Sequence, residues 1–159
     1  MKRRIDVGNY VGYMKSPVGW LKVVVSDKGL KHIDYVYKVG KKKEKHPRLE
    51  GVIAQLEEYF VGKRKKFLIP VDLDGTEFQA TVWRELMKIP YGKVVSYADI
   101  AQGVGKPTAV RAVGNANGKN PIPIVIPCHR VVKSDGQLGG YTAGVDRKKK
   151  LLELEGVVL

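Results

Sequence analysis

A cysteine followed directly by a histidine is the pair of side chains in this sequence best suited to nucleophilic chemistry. Cys128 is the sole cysteine of the 159 residues, and His129 and Arg130 follow it. A thiolate attacks carbon far better than a thiol, so a reactive cysteine needs a base or cation that lowers its pKa from about 8.5. His129 could be that base, and Arg130 would add positive charge. Alternatively, Cys128 is an inert core residue, since free cysteine is among the most buried residue types.

The segment around Cys128 is rich in proline. Pro121, Pro123 and Pro127 alternate with isoleucine and valine. Proline is disfavoured in helix interiors and in central strands, so the pattern predicts a rigid, extended segment. Neighbouring side chains of an extended chain point to opposite faces. We therefore expect a bridging water, or a bend at Pro127, instead of a direct hydrogen bond between thiol and imidazole.

The segment at residues 121–132 resembles the active-site signature of the O6-alkylguanine-DNA alkyltransferases, also called methylated-DNA–protein-cysteine methyltransferases. It reads Pro-Ile-Pro-Ile-Val-Ile-Pro-Cys-His-Arg-Val-Val, with Asn120 before it and Gly139-Gly140-Tyr141 after it. The resemblance extends from about Phe78 to Gly156. In alkyltransferase-like proteins, which bind the same lesions without repairing them, the cysteine is replaced, so Cys128 favours a repairing protein.

This resemblance implies direct-reversal DNA repair. The alkyl group of O6-alkylguanine, and also of O4-alkylthymine, would move to Cys128. Each molecule would act once, because a thioether has no evident route back to a thiol. No cofactor is expected for such a displacement, and the partner would be double-stranded DNA bound through its minor groove.

The resemblance also implies roles for residues around the nucleophile. Glu155 would hold His129 and complete a relay of Cys128, water, His129 and Glu155 that forms the thiolate. A carboxylate is disfavoured at a helix C-terminus, so Glu155 should have a partner; the alternative is a solvated glutamate. The Tyr97 hydroxyl would bind N3 of the purine and assist guanine departure, unless Tyr97 is an ordinary helix-face residue. Asn120 would pin the turn before the proline-rich segment.

Further positions are expected to form the base pocket. The backbone carbonyls of Cys128 and Val131 would recognise the exocyclic amine of guanine. Tyr141 and Thr142 would wall the pocket, and the backbone N–H at 142 would donate to O6. Many family members carry serine at this position, so Thr142 would narrow the pocket slightly.

A helix-turn-helix is predicted in the same half of the chain. Ser96 and Asp99 open a helix that ends near Gly103, and a second helix should follow Pro107, which is favoured in a first helical turn. The second helix is rich in small residues around the long side chain of Arg111: Thr108, Ala109, Ala112 and Gly114. Small residues allow a close approach to the narrow minor groove, whereas base reading in the major groove calls for several long polar side chains. The resemblance implies that Arg111 replaces a flipped nucleotide in the base stack; the alternative is a surface salt bridge.

The first half of the chain reads as a small α/β domain. Short β-rich runs at 10–14, 20–25 and 30–36 are separated by turn residues, and a helix follows from Leu49 to Phe60, closed by Gly62. A last strand is predicted at 67–71. The resemblance implies a ribonuclease-H-like fold here.

The expected organisation is therefore a small α/β domain at 1–71, a linker at 72–75 and a mainly helical, winged-helix-like domain at 76–159. Thr76 and Gln79 match the capping box that opens a helix. The final helix should run from about Asp146 to Glu155, with its buried leucines at 151, 152 and 154.

Composition is consistent with an anionic partner. The 29 basic and 16 acidic residues give a net charge of +13, which suits nucleic acid. The excess lies mostly in residues 1–70, including a lysine-rich loop at 38–45 and a basic patch at 63–66. Abundant lysine is also typical of thermophilic proteins, so charge alone does not locate a DNA site.

The cysteine and histidine content argues against an internal disulfide and a zinc site. A single cysteine forms no internal disulfide, and His32 and His46 stand without the cysteines of a zinc site, so no metal is expected. The basic start at 1–4 is not followed by an apolar run of signal or membrane length. We expect a monomer that is cytoplasmic, nucleoid-associated and has no membrane partner.

Two other functions are compatible with the motifs. A non-catalytic binder that flags alkylated DNA would share the helix-turn-helix and Arg111 but would not need the thiol of Cys128. A Cys-His-Glu acyl-transfer enzyme unrelated to DNA would turn over repeatedly and would not need Arg111.

Overall fold

The chain folds into two compact units, residues 1–74 and residues 75–159. The computed structural model describes residues 8–40 and 44–158. The start of the chain and part of the predicted lysine-rich loop lie outside these ranges. None of the helices in the described residues combines the length and the apolar character that crossing a bilayer requires.

The first unit is an antiparallel meander with one helix. Strands β1 (Asn9–Ser16), β2 (Gly19–Ser26) and β3 (Leu30–Val36) pair in chain order. Helix α1 (Pro47–Phe60) packs on this sheet closely enough that a Cβ at Gly12 would lie 3.0 Å from a methyl of Leu49. Strand alternation and helical spacing bring the apolar side chains of both into one core: Leu21, Val23, Val25, Leu30, Ile33, Leu49, Val52, Leu56 and Tyr59.

The prediction of a strand at 67–71 was wrong. Only a single bridge forms, between Val71 and Leu30, because Pro70 has no N–H to extend the ladder. The side-chain amide of Gln55 replaces the missing strand partner, donating to the Leu68 carbonyl and accepting from the Leu68 N–H. Gly29 is required here, since a Cβ at this position would lie 2.5 Å from the Pro70 carbonyl oxygen.

The second unit is mainly helical. Helix α2 (Glu77–Leu86) begins at the predicted capping box, in which Thr76 and Gln79 exchange hydrogen bonds of 3.0 Å. The other elements are β4 (Val95–Ser96), α3 (Tyr97–Gly103), α4 (Val110–Gly118), β5 (Val131–Val132) and α5 (Val145–Leu154). The two short strands pair in parallel, and the buried Trp83 indole donates to the Ala116 carbonyl, fixing α2 against α4.

Helix α4 begins later than predicted. Pro107, Thr108 and Ala109 form the turn after α3, and the helix starts at Val110. Ala109 supplies no side-chain cap, so a backbone hydrogen bond from its N–H to the Lys106 carbonyl shapes the entry instead. Two residues assigned to the second helix, Thr108 and Ala109, therefore precede it.

Helix α5 lies within one residue of its predicted bounds, but its buried residues differ from those predicted. Leu151 and Leu152 are buried, whereas Leu154 is only half-buried. Lys148 takes a buried place on the same face, one helical turn before Leu151 and Leu152.

Candidate active site

The proline-rich segment is folded into a turn, so the predicted extended conformation was wrong. The Asn120 side chain accepts a hydrogen bond from the Ile122 N–H (2.9 Å) and donates to the Ile126 carbonyl (2.7 Å). The Ile126 N–H also bonds the Ile122 carbonyl, and Ile124 between them has a φ of 77°. A β-branched residue rarely adopts this left-handed conformation. Asn120 therefore holds a strained turn immediately before Cys128.

Cys128 begins a single 3₁₀ turn, Cys128–Arg130, which enters through Pro127 and leads into β5. It is buried, with 5% of its surface exposed. Burial raises the pKa of the Cys128 thiol, while hydrogen bonds from Asn120 and Tyr141 and the charge of Lys148 act in the opposite direction. The thiol is therefore buried but surrounded by groups that stabilise its anionic form.

The His129 side chain is bound to Glu155. Its Nε2 lies 2.7 Å from Glu155 Oε2, and both side chains are fully buried. Burial lowers the pKa of His129, although the hydrogen bond and charge of Glu155 oppose that change. A neutral imidazole that donates through Nε2 leaves Nδ1 as an acceptor. This buried Nδ1 has no hydrogen-bond partner within residues 8–40 and 44–158. It is therefore free to accept a proton.

Arg130 does not supply positive charge to the thiol as expected from the sequence. Its guanidinium binds the two oxygens of Glu155 at 2.8 and 3.0 Å and also donates to the Ile89 carbonyl. The Gly92 N–H is a further donor to Glu155. The carboxylate is thus the centre of a buried network, and the alternative of a solvated glutamate is wrong.

Lys148 is the cation whose charge acts on the thiol, and the sequence analysis missed it. It is fully buried, and its charge lowers the pKa of Cys128. Helical spacing could have revealed it, since residues 148, 151, 152 and 155 lie on one face of α5. A lysine is normally assigned to the surface because it is so rarely buried.

Asn117 is a second missed residue. It is buried on α4, and its Nδ2 lies 3.5 Å from the Cys128 carbonyl oxygen. The Val131 N–H also bonds that carbonyl. Val131 itself is fully buried in β5.

Tyr97 and the segment after β5 also interact with Cys128. Tyr97 is half-buried, and burial followed by the charge of the Cys128 thiolate raises its pKa, which keeps its hydroxyl protonated. Tyr141 hydrogen-bonds Cys128. Thr142 is exposed, and its hydroxyl donates to the Gly118 carbonyl at the end of α4 (2.8 Å). Its side chain therefore anchors the segment to α4.

The predicted DNA-contacting residues are on or beside an open surface of α4. Thr108, Arg111 and Ala112 are exposed, and no salt bridge of Arg111 forms in the described ranges. Ala109 and Gly114 are half-buried, and a Cβ at Gly114 would lie 4.0 Å from the Tyr97 ring. Arg111 thus stands among small residues as a long, unpaired cation.

Comparison with known proteins agrees with this arrangement. Residues 77–157 match the family model for the DNA-binding domain of 6-O-methylguanine DNA methyltransferase, and residues 9–73 match the ribonuclease-like domain of the same family. The chain belongs to the methylated-DNA–protein-cysteine methyltransferase family. A relative of that name from Methanosarcina barkeri is 45% identical over 154 residues, covering 92% of this chain and 96% of the relative.

Other members of the methylated-DNA–protein-cysteine methyltransferase family are similarly close. The Mycolicibacterium paratuberculosis protein is 47% identical over 145 residues and 88% of each chain. The crystal structure of Mycobacterium tuberculosis OGT in complex with DNA has a TM-score of 0.84 and 40% identity over 92% of both chains. The predicted fold class, a ribonuclease-like α/β domain followed by a helical DNA-binding domain, is confirmed. Among the described residues, no cluster of histidine, cysteine and acidic side chains could hold a metal ion.

Proposed function

We propose that this protein repairs O6-alkylguanine in double-stranded DNA by moving the alkyl group to Cys128. The observation that carries the proposal is the buried His129–Glu155 pair, whose histidine follows the sole cysteine in the chain. The names of its relatives and the DNA complex of the mycobacterial protein support the same function. Because the substrate is DNA, the protein acts in the compartment that holds the DNA, associated with the nucleoid. It acts as a monomer.

The first step forms the thiolate. The thiol proton passes through a bridging water to Nδ1 of His129, whose Nε2–H is held by Glu155. The carboxylate stabilises the imidazolium that results, as the buried aspartate does in a serine-protease triad. Burial favours the neutral thiol and the neutral imidazole at rest. Only a small fraction of the free protein therefore carries the ion pair, and the displacement step uses that fraction.

The second step is a direct displacement. The sulfur of Cys128 forms a bond to the alkyl carbon while the bond between that carbon and O6 of guanine breaks. The electron pair of the broken bond remains on the guanine, and the Tyr97 hydroxyl, which hydrogen-bonds N3, donates its proton there so that guanine departs as a neutral base. The proton that His129 took from the thiol returns to Tyr97 through water. The thioether persists, because a sulfide anion does not leave readily, so each molecule acts once. O4-alkylthymine presents the same kind of O-alkyl carbon and is a second substrate.

The nucleotide must leave the helix to reach Cys128, since the O6 alkyl carbon lies inside the duplex. Helix α4 enters the minor groove, where its small residues allow close approach and exposed Arg111 fills the gap left by the flipped nucleotide. The carbonyl groups of Cys128 and Val131 recognise the exocyclic amine, and the N–H at Thr142 donates to O6 beside Tyr141.

Loss of O6-methylguanine from a defined duplex tests this function. Wild-type protein in excess should convert the lesion to guanine, as measured by chromatography of the hydrolysed DNA, and Cys128→Ser should leave it intact. A lesion-flagging protein would bind the duplex and leave the methyl group in place with either variant, and that result would refute the proposal.

A further inference from the structure

One face of helix α4 packs against residues of the candidate site. A Cβ at Gly114 would lie 4.0 Å from the Tyr97 ring. The Gly118 carbonyl accepts a hydrogen bond of 2.8 Å from the Thr142 hydroxyl. Residues three apart are neighbours on a helix surface, so Asn117 shares this face with Gly114. An amide side chain therefore lies on the part of α4 that borders the site.

The Asn117 side chain is buried, and one end of its amide contacts the Cys128 backbone. Its Nδ2 lies 3.5 Å from the Cys128 carbonyl oxygen, and 6% of the residue is exposed. A carbonyl oxygen only accepts hydrogen bonds, so the NH2 end of the amide must face Cys128. The other end, Oδ1, has no hydrogen-bond partner among residues 8–40 and 44–158. A buried acceptor without a donor is costly, so this oxygen requires a physical reason.

The exocyclic amine of guanine is the donor that fits this oxygen. In the proposed function the carbonyl groups of Cys128 and Val131 bind that amine. The Cys128 carbonyl has two lone pairs and already accepts from the Val131 N–H and from Asn117 Nδ2, so it is a weak acceptor for a third donor. Asn117 Oδ1 belongs to the amide that contacts this carbonyl, and it is unpaired. It can accept the amine hydrogen that the carbonyl would hold only weakly.

We propose that Asn117 determines the preference for guanine lesions, with its Oδ1 accepting a hydrogen bond from the exocyclic amine of the flipped base. The proposal rests on the proposed function for the identity of that base. O4-alkylthymine carries a carbonyl oxygen at the ring position where guanine carries the amine, so it offers Oδ1 no hydrogen. Asn117 therefore favours alkylated guanine over alkylated thymine through a group remote from the reacting carbon.

Two DNA lesions that differ only in this amine test the proposal. O6-methylguanine and O6-methylhypoxanthine, placed at the same position of one duplex, present the same methyl group, but only guanine carries the amine. In Asn117→Leu an apolar side chain of similar size replaces the amide. The rate of methyl transfer from guanine divided by the rate from hypoxanthine should fall about tenfold, because a hydrogen bond made by guanine alone is lost. The ratio of guanine to O4-methylthymine rates should fall by a similar factor.

Asn115→Leu is the matched control, since it makes the same change at an exposed position of α4. It should leave the ratio of guanine to hypoxanthine rates unchanged. Asn117→Ala removes the amide without adding an apolar side chain, should lower the ratio as Asn117→Leu does, and decides the question if the leucine variant does not fold. Equal slowing of both lesions in a folded variant would overturn the proposal, because it would show that Asn117 only supports the turn at Cys128.

The wild-type rates separate this proposal from the repair function itself. A wild-type protein that transfers methyl groups from neither lesion would refute the repair function. Transfer by the wild type, with the same ratio of guanine to hypoxanthine rates in Asn117→Ala and Asn115→Leu, would refute the role of Asn117 and leave repair standing.

Discussion

Glu155 shows how a residue at the end of a helix can organise a reactive site in this protein. Its carboxylate accepts hydrogen bonds from His129, from Arg130 and from the Gly92 N–H, and no part of its side chain is exposed. A buried charge is tolerated only when it is matched and fully hydrogen-bonded. Removing one member therefore affects the whole network.

Glu155→Gln should both destabilise the protein and slow alkyl transfer. The neutral amide leaves the buried Arg130 guanidinium without a counter-charge, a change that commonly costs about 3–5 kcal/mol. Urea denaturation should show this loss, and Glu153→Gln, an exposed change on the same helix, should be nearly neutral. Equal stability of the two variants would show that the network contributes little.

The lowered pKa of His129 predicts that the stability of the protein depends on pH. Because this pKa is lowered in the folded state, the unfolded chain binds more protons below about pH 6.5. Stability should therefore fall as pH decreases through 6.5, by up to about 1.4 kcal/mol per pH unit for this proton. Urea midpoints between pH 7.5 and 5 measure the slope. His129→Asn should flatten it and the exposed His32→Asn should not; a slope independent of His129 would contradict the assignment.

At the scale of elements, α4 and the turn held by Asn120 perform separate tasks. The turn places Cys128 through two side-chain hydrogen bonds and a strained Ile124. Helix α4 presents its buried face, with Val113 and Ala116, to the core and leaves Arg111 exposed. A substitution on the exposed face should therefore weaken the interaction with DNA without changing the reactivity of the Cys128 thiol.

Arg111→Ala should separate these tasks. Transfer from O6-methylguanine in duplex DNA should slow by about tenfold or more, because no side chain fills the space of the flipped nucleotide, and unstacking costs a few kcal/mol. Transfer from the free base O6-benzylguanine should not change. Arg84→Ala, which removes an exposed arginine from α2, is the control for net charge. Equal slowing with both substrates would show that Arg111 acts on the thiol site.

At the scale of the whole molecule, local patterns predicted local structure well. The capping box at Thr76 and the meander strands depend on residues close in sequence, and both form as expected. The strand predicted at 67–71 does not form, because Pro70 has no N–H and Gln55, distant in sequence, binds Leu68 instead. The start of α4 was also mispredicted, because it depends on the backbone hydrogen bond between Ala109 and Lys106 in the preceding turn.

The candidate site was only partly predictable for a related reason. The Cys-His motif and the resemblance placed Cys128, His129, Glu155 and Asn120, which the structure brings into one region of the second unit. The buried Lys148 and the orientation of Arg130 toward Glu155 depend on packing. Side-chain type alone assigns both to the surface. Helical spacing in α5 could have indicated Lys148, but no sequence pattern indicates the contact of Arg130 with Glu155.

The mass of the intact protein after reaction with a duplex containing O6-methylguanine is the most direct test of the central claim. One methyl group should be gained for each lesion repaired, peptide mapping should place it on Cys128, and protein that has reacted once should repair no second lesion. Unmodified protein beside unrepaired DNA, or repaired DNA in molar excess over protein, would contradict single transfer of the alkyl group to Cys128.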